Sequence, residues 1–233
     1  MKKELVFKKE RIEIRSHLAS SYDRLIKNDV SHGLGLEKKS LPSKYFYDSR
    51  GSRLFEKICA LPEYYPTRTE MSILREAAPQ IMEDFTSGDI VELGSGANWK
   101  VRMLLDAAGQ ERLKDLRYVP VDVSESALQD ASEELLRIYP ELEVLGIIAD
   151  FTVHMDLIPS ERPRLMVFLG STIGNFDERA RRDFLKGAAA AMKPEDRFLI
   201  GFDMVKSRDT LEAAYNDEQG VTSEFNKNVL HVL

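Results

Sequence analysis

One cysteine, Cys59, gives the chain no partner for an internal disulfide, so a packed core rather than cross-links has to hold the fold. Cys59 itself reads as a small buried hydrophobe. Histidine is scarce too: His17, His32, His154 and His231 stand apart without ligand spacing, and no metal site is expected from them. No run of about 18 apolar residues exists, which excludes a bilayer-spanning helix. The start Met1-Lys2-Lys3-Glu4 is not followed by an apolar stretch of signal-peptide length, so a cytoplasmic location is expected. Basic charge is in deficit, with 33 Lys and Arg against 39 Asp and Glu and a net charge of -6. That leaves no basic face for nucleic acid and no polybasic anchor for a membrane surface, and favours a small-molecule substrate.

The composition is otherwise that of a folded protein. With 233 residues, 43% of them hydrophobic and 31% charged, the chain can bury one large core or one domain with a smaller lobe. Residues 1–87 read as helices and loops: a short helix over Ser16 to Ile26, a loop over Gly33 to Leu41, and a helix over Arg53 to Ala60. Pro66-Thr67 opens a longer helix in which Thr67 and Glu70 have capping-box spacing and Ile73, Leu74, Ala77 and Ile81 form an apolar stripe. Pro79 is expected to bend or divide it. From residue 88 to 204 short apolar strands alternate with helical stretches, the pattern of a mainly parallel sheet with helices on both faces. Strands are predicted at 89–93, 117–122, 143–149, 164–169 and 196–203, with helices following Asn98, Ser124 and Asp177. Pro120 lies awkwardly inside the second of these strands, because proline removes a ladder donor.

The first strand runs into a glycine turn, Ile90-Val91-Glu92-Leu93-Gly94-Ser95-Gly96, and the second ends Val119-Pro120-Val121-Asp122. Together they outline a nucleoside-binding βαβ unit, in which backbone approaches the ligand at the turn and the acidic strand end accepts from ribose hydroxyls. A third glycine, which would pack a pyrophosphate loop on its helix, is missing; its place is taken by Trp99. NAD and FAD are therefore poor candidates. Glu92 beside the turn, and no lysine within it, suit a cationic cofactor without phosphate, for which S-adenosylmethionine is the obvious choice.

Five blocks in order carry a resemblance: Leu41-Pro-Ser-Lys-Tyr-Phe-Tyr-Asp-Ser-Arg-Gly-Ser-Arg-Leu-Phe55, Leu61-Pro-Glu-Tyr-Tyr-Pro-Thr-Arg-Thr-Glu70, Val91-Glu-Leu-Gly-Ser-Gly96, Phe168-Leu-Gly-Ser-Thr-Ile-Gly-Asn175 and Gly220-Val-Thr-Ser-Glu-Phe-Asn-Lys-Asn-Val-Leu230. From about residue 35 onward the chain resembles the histidine-specific Nα-methyltransferases of ergothioneine biosynthesis. The resemblance implies a Rossmann-like class I methyltransferase sheet with a smaller, mostly helical lobe, and transfer of methyl groups from S-adenosylmethionine to the α-amine of L-histidine, giving hercynine. It implies cofactor contacts at Gly94, Lys100 and Asp122, with Asp150 and Phe151 at the adenine, and substrate contacts at Tyr64, Asn175 and Tyr215. Tyr47 and Asn175 would act on the amine. Residues 205–233 would begin an insertion in the second lobe.

The residues leave bland readings beside these. Asp122 and Asp150 suit helix capping, Lys100 suits a solvated helix face, and Tyr45, Phe46, Tyr47, Tyr64 and Tyr65 suit an aromatic core. Two departures from the family stand out. Ala97-Asn98-Trp99 follows the glycine turn where relatives have small hydroxyl residues, and relatives continue past the point matching Leu233 with further strands and an acidic and a hydroxyl residue that hold the imidazole. On that reading the sheet has five strands and an unfinished edge. An S-adenosylmethionine enzyme acting on another amine, or a non-catalytic cofactor-binding subunit, are the alternatives.

Overall fold

The computed structural model describes residues 4–18, 22–96 and 98–233. Its strands are β1 (Glu4–Lys9), β2 (Ile12–Ser16), β3 (Gly88–Leu93), β4 (Leu116–Asp122), β5 (Glu143–Ile148), β6 (Arg164–Phe168) and β7 (Arg197–Ile200). Its helices are α1 (Tyr22–Gly35), α2 (Ser49–Ala60), α3 (Tyr65–Asp84), α4 (Trp99–Ala108), α5 (Glu125–Ile138), α6 (Glu178–Ala191), α7 (Arg208–Tyr215) and α8 (Val221–Val232). The described residues divide into a helical unit, Leu18–Tyr65 with Val205–Leu233, and a sheet unit, residues 4–17 with Pro66–Met204.

The sheet unit is one sheet in the order β1-β2-β5-β4-β3-β6-β7. All neighbours are parallel except the β1–β2 hairpin. Starting at β3, the chain adds β4 and β5 on one side and then returns to add β6 and β7 on the other, which is the doubly wound, Rossmann-like arrangement. Every residue of β3 and β6 is buried, as expected of inner strands covered on both faces. On one face Val91, Leu93, Val119, Val121, Leu145, Ile147, Met166 and Phe168 pack with Phe184 and Ala188 of α6. Leu128 of α5 covers Gly146 of β5 on the opposite face.

The strand positions agree with the sequence periodicity, and β7 is shorter than predicted. The predicted helices after Asn98, Ser124 and Asp177 are α4, α5 and α6. Pro120 is accommodated inside the sheet: β4 pairs with β5 through Arg117 and Tyr118, skips Val119 and Pro120, and resumes at Val121 in the same register. The missing donor thus interrupts one ladder without ending the strand. Pro79 does not divide its helix, because α3 runs through it as one element.

Residues 1–87 depart from the expectation of helices and loops alone. Glu4–Lys9 and Ile12–Ser16 form the hairpin that extends the sheet beyond β5, so the sheet has seven strands rather than five. Ile12 and Ile14 alternate with charged residues and are 2% and 0% exposed, a period-2 pattern that buries one face. Ser16 ends β2 instead of opening a helix. The helix of that region begins at Tyr22 and continues to Gly35, into the predicted loop. Part of the predicted Ser16–Ile26 helix, and Ala97 of the glycine loop, lie outside the described residues. Most of α3 also belongs with the sheet, so the boundary expected at residue 87 is replaced by boundaries near residues 17, 65 and 204.

In the helical unit, Asp48 caps α2 by accepting from Gly51 N at 2.7 Å, and it also accepts from Asn228 Nδ2 at 2.6 Å, tying α8 to the start of α2. Asn228 is fully buried. Asp217, three residues before the Gly220 cap of α8, accepts from Val221 N and Thr222 N in the first turn of that helix.

A buried ion pair fixes the start of β6 against the turn before β7. Arg164, 1% exposed, places Nη2 at 2.5 Å and Nε at 3.0 Å from Asp196 Oδ2, while its backbone amide donates to Oδ1 at 2.8 Å. Burial alone would raise the Asp196 carboxyl, but the Arg164 guanidinium and backbone donors hold it below its ordinary value. Removing one member of such a pair leaves a buried charge without its counter-ion. Asp196→Ala is therefore expected to lower stability by about 3–5 kcal/mol, measured by urea unfolding at pH 7; a loss below about 1 kcal/mol would contradict the role given to the pair.

Candidate active site

The strand order reverses between β3 and β6, and the loops leaving their carboxyl ends diverge there. In open α/β sheets this switch point is where ligands bind. The glycine turn follows β3, and Gly94 adopts φ +74 with its amide donating to Val121 O at 2.9 Å. A side chain at Gly94 would be strained by that backbone and would also meet the Phe151 ring at 3.4 Å. The structure thus brings Gly94 and Phe151, two predicted cofactor residues from different strand ends, into one place. The Phe151 ring is held edge-on by Phe168 and Phe184, at centroid distances of 5.5 and 6.0 Å.

Asp122 ends β4 and accepts from Ser124 N at 2.9 Å. It does not cap α5, since Ser124 does so by accepting from Ala127 N. Burial pushes the Asp122 carboxyl up to about 6, against backbone donors at Ser124 and Val123 that lower it. Asp150, after β5, accepts from Thr152 N at 3.0 Å and Thr152 Oγ1 at 2.5 Å, closing a turn rather than capping a helix.

Glu92 and Tyr118 lie buried beneath the turn, where the tyrosine hydroxyl donates to the carboxyl. Burial pushes Glu92 up to about 7; Tyr118 and Lys100 pull it down, and Asp122 and Glu70 add to the rise. One ammonium therefore shares this neighbourhood with three carboxyl groups. An excess of negative charge that is costly to bury suits a cationic ligand and disfavours a pyrophosphate.

Lys100 is not the solvated residue of the bland reading. Its Nζ is 2.6 Å from Glu70 Oε2, and each side chain is about 15% exposed. Glu70 was legible only as the capping-box partner of Thr67. Instead its Oε1 accepts from Gly170 N at 2.7 Å, in the loop after β6. Helix α3 starts at Tyr65, so Thr67 lies inside it and not at its cap. No local spacing reports a contact across 100 residues of sequence, and Tyr118 gave no signal either.

Asn175 closes a short 3-10 turn, Thr172–Asn175, that follows Gly170 (φ +80) and Ser171 (φ +55), and its side chain is exposed. Ser171 Oγ accepts from Asp203 N at 3.0 Å, linking this turn to the segment after β7.

The three predicted tyrosines belong to the helical unit, whereas Asn175 and all predicted cofactor residues belong to the sheet unit. Tyr47 packs edge-on against Phe55 and Phe225, at 5.5 and 5.4 Å, and Tyr64 meets Phe55 at 6.2 Å and Tyr215 at 5.8 Å. Tyr64 is 6% exposed and Tyr215 51%. Burial, with Tyr215, Cys59 and Tyr47 nearby, raises the Tyr64 phenol far above its ordinary value, so it stays protonated. Tyr45 is core: it is 1% exposed, and its hydroxyl donates to Asp29 at 2.7 Å.

Residues 26–233 match the family described as histidine-specific methyltransferase, SAM-dependent. A histidine N-alpha-methyltransferase of Mycobacterium tuberculosis is 44% identical over 96% of this chain and 70% of its own length. One from Mycolicibacterium smegmatis is 45% identical over 92% of this chain and 67% of its own. Ergothioneine biosynthesis protein 1 of Schizosaccharomyces pombe is 32% identical over 84% of this chain and 26% of its own length.

The raised Asp122 carboxyl has a stability consequence. Its folded value, about 6, lies above the ordinary 3.8, so the stability it contributes is present below about pH 4 and is lost as pH rises through 6. Asp122→Asn keeps the acceptor for Ser124 N and removes the buried charge. The variant is expected to gain about 1–3 kcal/mol at pH 7 and almost nothing at pH 4, read from thermal unfolding at both pH values. A variant less stable than the parent at pH 7 would contradict this.

Proposed function

The chain belongs to the histidine-specific, S-adenosylmethionine-dependent methyltransferase family, and from that premise we propose that it methylates the α-amino group of L-histidine through to the trimethylated product, hercynine. The observation that carries this reading beyond family membership is the switch point: a side-chain-free turn at Gly94 beside one lysine and three carboxyl groups. Those residues fit a nucleoside that carries a positive charge and no phosphate.

S-adenosylmethionine supplies, when bound, an electrophilic methyl carbon with a neutral thioether as leaving group. The protein's part is to hold, orient and exclude water. In this reading Asp122 accepts from the ribose hydroxyls, Asp150 from the adenine amine, and Phe151 offers its ring to the base. Lys100 takes the carboxylate of the cofactor's amino-acid end. An α-amine with a pKa near 7.7–8.0 is partly neutral at pH 7, so no strong base is needed to expose its lone pair. The first two methylations each still release one proton.

Asn175 offers an amide that can hold the carboxylate and amine of histidine together, and Tyr64 and Tyr215 offer aromatic walls ending in hydroxyls. Tyr47 or Asn175 orients the lone pair and passes the proton to water. Tyr64 cannot serve as a tyrosinate base, because its buried phenol holds its proton.

Mass spectrometry of the protein incubated with S-adenosylmethionine and histidine is expected to show mono-, di- and trimethylhistidine. Faster methylation of another amino acid or amine in a competing panel would overturn the substrate assignment. Asn175→Ala is expected to raise the KM for histidine by about tenfold or more with the affinity for S-adenosylhomocysteine unchanged. The reverse pattern would remove Asn175 from the substrate contacts.

A further inference from the structure

Glu70 stands outside the glycine turn and outside every strand end, yet its carboxylate lies against the ends of β6 and β7 and the first turn of α4. Its Oε1 accepts from Gly170 N at 2.7 Å and its Oε2 lies 2.6 Å from Lys100 Nζ, as an ion pair rather than an aligned hydrogen bond. Two glycines leave the space that this pair occupies. A side chain at Gly201, just past β7, would begin 2.1 Å from Glu70 Oε1, and one at Gly170 would begin 3.0 Å from Lys100 Nζ. The carboxylate is therefore wedged among the ends of β6 and β7 and the first turn of α4.

A lysine ammonium is a mobile point charge on a flexible stem, with three donors. Here one direction is taken by Glu70, and the rest of the ammonium stays available to a ligand. Fixing the stem before binding removes part of the ordering that a ligand carboxylate would otherwise impose. The anion also balances the charge of a zwitterionic ligand end, which carries an ammonium beside its carboxylate.

We infer that Glu70 is a positioning residue for Lys100: it aims the ammonium at the amino-acid end of the cofactor and has no part in holding the adenosine. The inference rests on the cofactor reading given above. Glu70→Gln is the informative change, because its carbonyl oxygen still accepts from Gly170 N while the charge beside Lys100 is gone.

Calorimetric titration with two ligands separates positioning from scaffolding. S-adenosylhomocysteine carries the amino-acid end; methylthioadenosine has the same adenosine thioether without it. Glu70→Gln is expected to weaken S-adenosylhomocysteine about tenfold and to leave methylthioadenosine within about twofold of the parent. Lys100→Met should produce the same pattern, and adding Glu70→Gln to it should have little further effect, the non-additivity expected of residues acting as a unit. Equal weakening of both ligands would make Glu70 a scaffold residue and overturn the inference. Tighter S-adenosylhomocysteine binding would make Glu70 a competitor for Lys100 and overturn it as well. A parent protein that binds both ligands alongside an unchanged variant would sink this inference alone, whereas a parent that binds neither would sink the cofactor reading with it.

Discussion

Strands β3 and β6 lie side by side through the pairs Asp89↔Arg164 to Glu92↔Val167, and everything chemical in the sheet unit follows from what happens where that pairing ends. The two chains leave in opposite directions because one feeds the half of the sheet built from β4 and β5 and the other the half built from β7. At such a divergence the backbone is open and its polar groups are available. Gly94 and Gly170, both at positive φ, make the turns possible. Phe151 and Lys100 reach the same region from the end of β5 and the start of α4.

Electrostatics then decides what the divergence can accept. The carboxyl groups of buried Glu92 and half-buried Asp122, both with raised pKa values, destabilise the empty protein near neutral pH. Natural sites retain such groups where they recognise something. Lys100 offsets part of this charge and Glu70 restrains Lys100. The arrangement favours a cation with hydroxyl groups to donate. In the helical unit the chemistry differs: an aromatic cluster around Phe55 and Phe225 presents Tyr64 buried and Tyr215 half exposed.

Much of the sheet was legible because inner parallel strands are short, apolar runs bounded by turn residues, as Ile90 to Leu93 before Gly94 shows. The capping residues Ser124 and Asp177 were legible for the same local reason. The β1–β2 hairpin was not, since the strand it pairs with, β5, lies some 130 residues away in sequence. Among the predicted site residues, Gly94 and Asp122 were legible from the βαβ pattern, whereas Lys100, Asp150 and Phe151 came from the family resemblance; the structure sets Gly94 against Phe151. Glu70 was misread because its spacing from Thr67 satisfied a local rule, while its real partners are Lys100 and Gly170. Local rules describe a residue's neighbours in sequence; the partners that tune a site are set by topology.

If this switch point takes a phosphate-free nucleoside carrying an amino-acid end, and then histidine, calorimetric titration of the protein with S-adenosylhomocysteine, followed by histidine added to the saturated complex, will show it. Saturable binding of the first ligand and then of the second is expected, with NAD giving no competition. Saturable NAD binding, or no heat from S-adenosylhomocysteine with a folded protein, would contradict it.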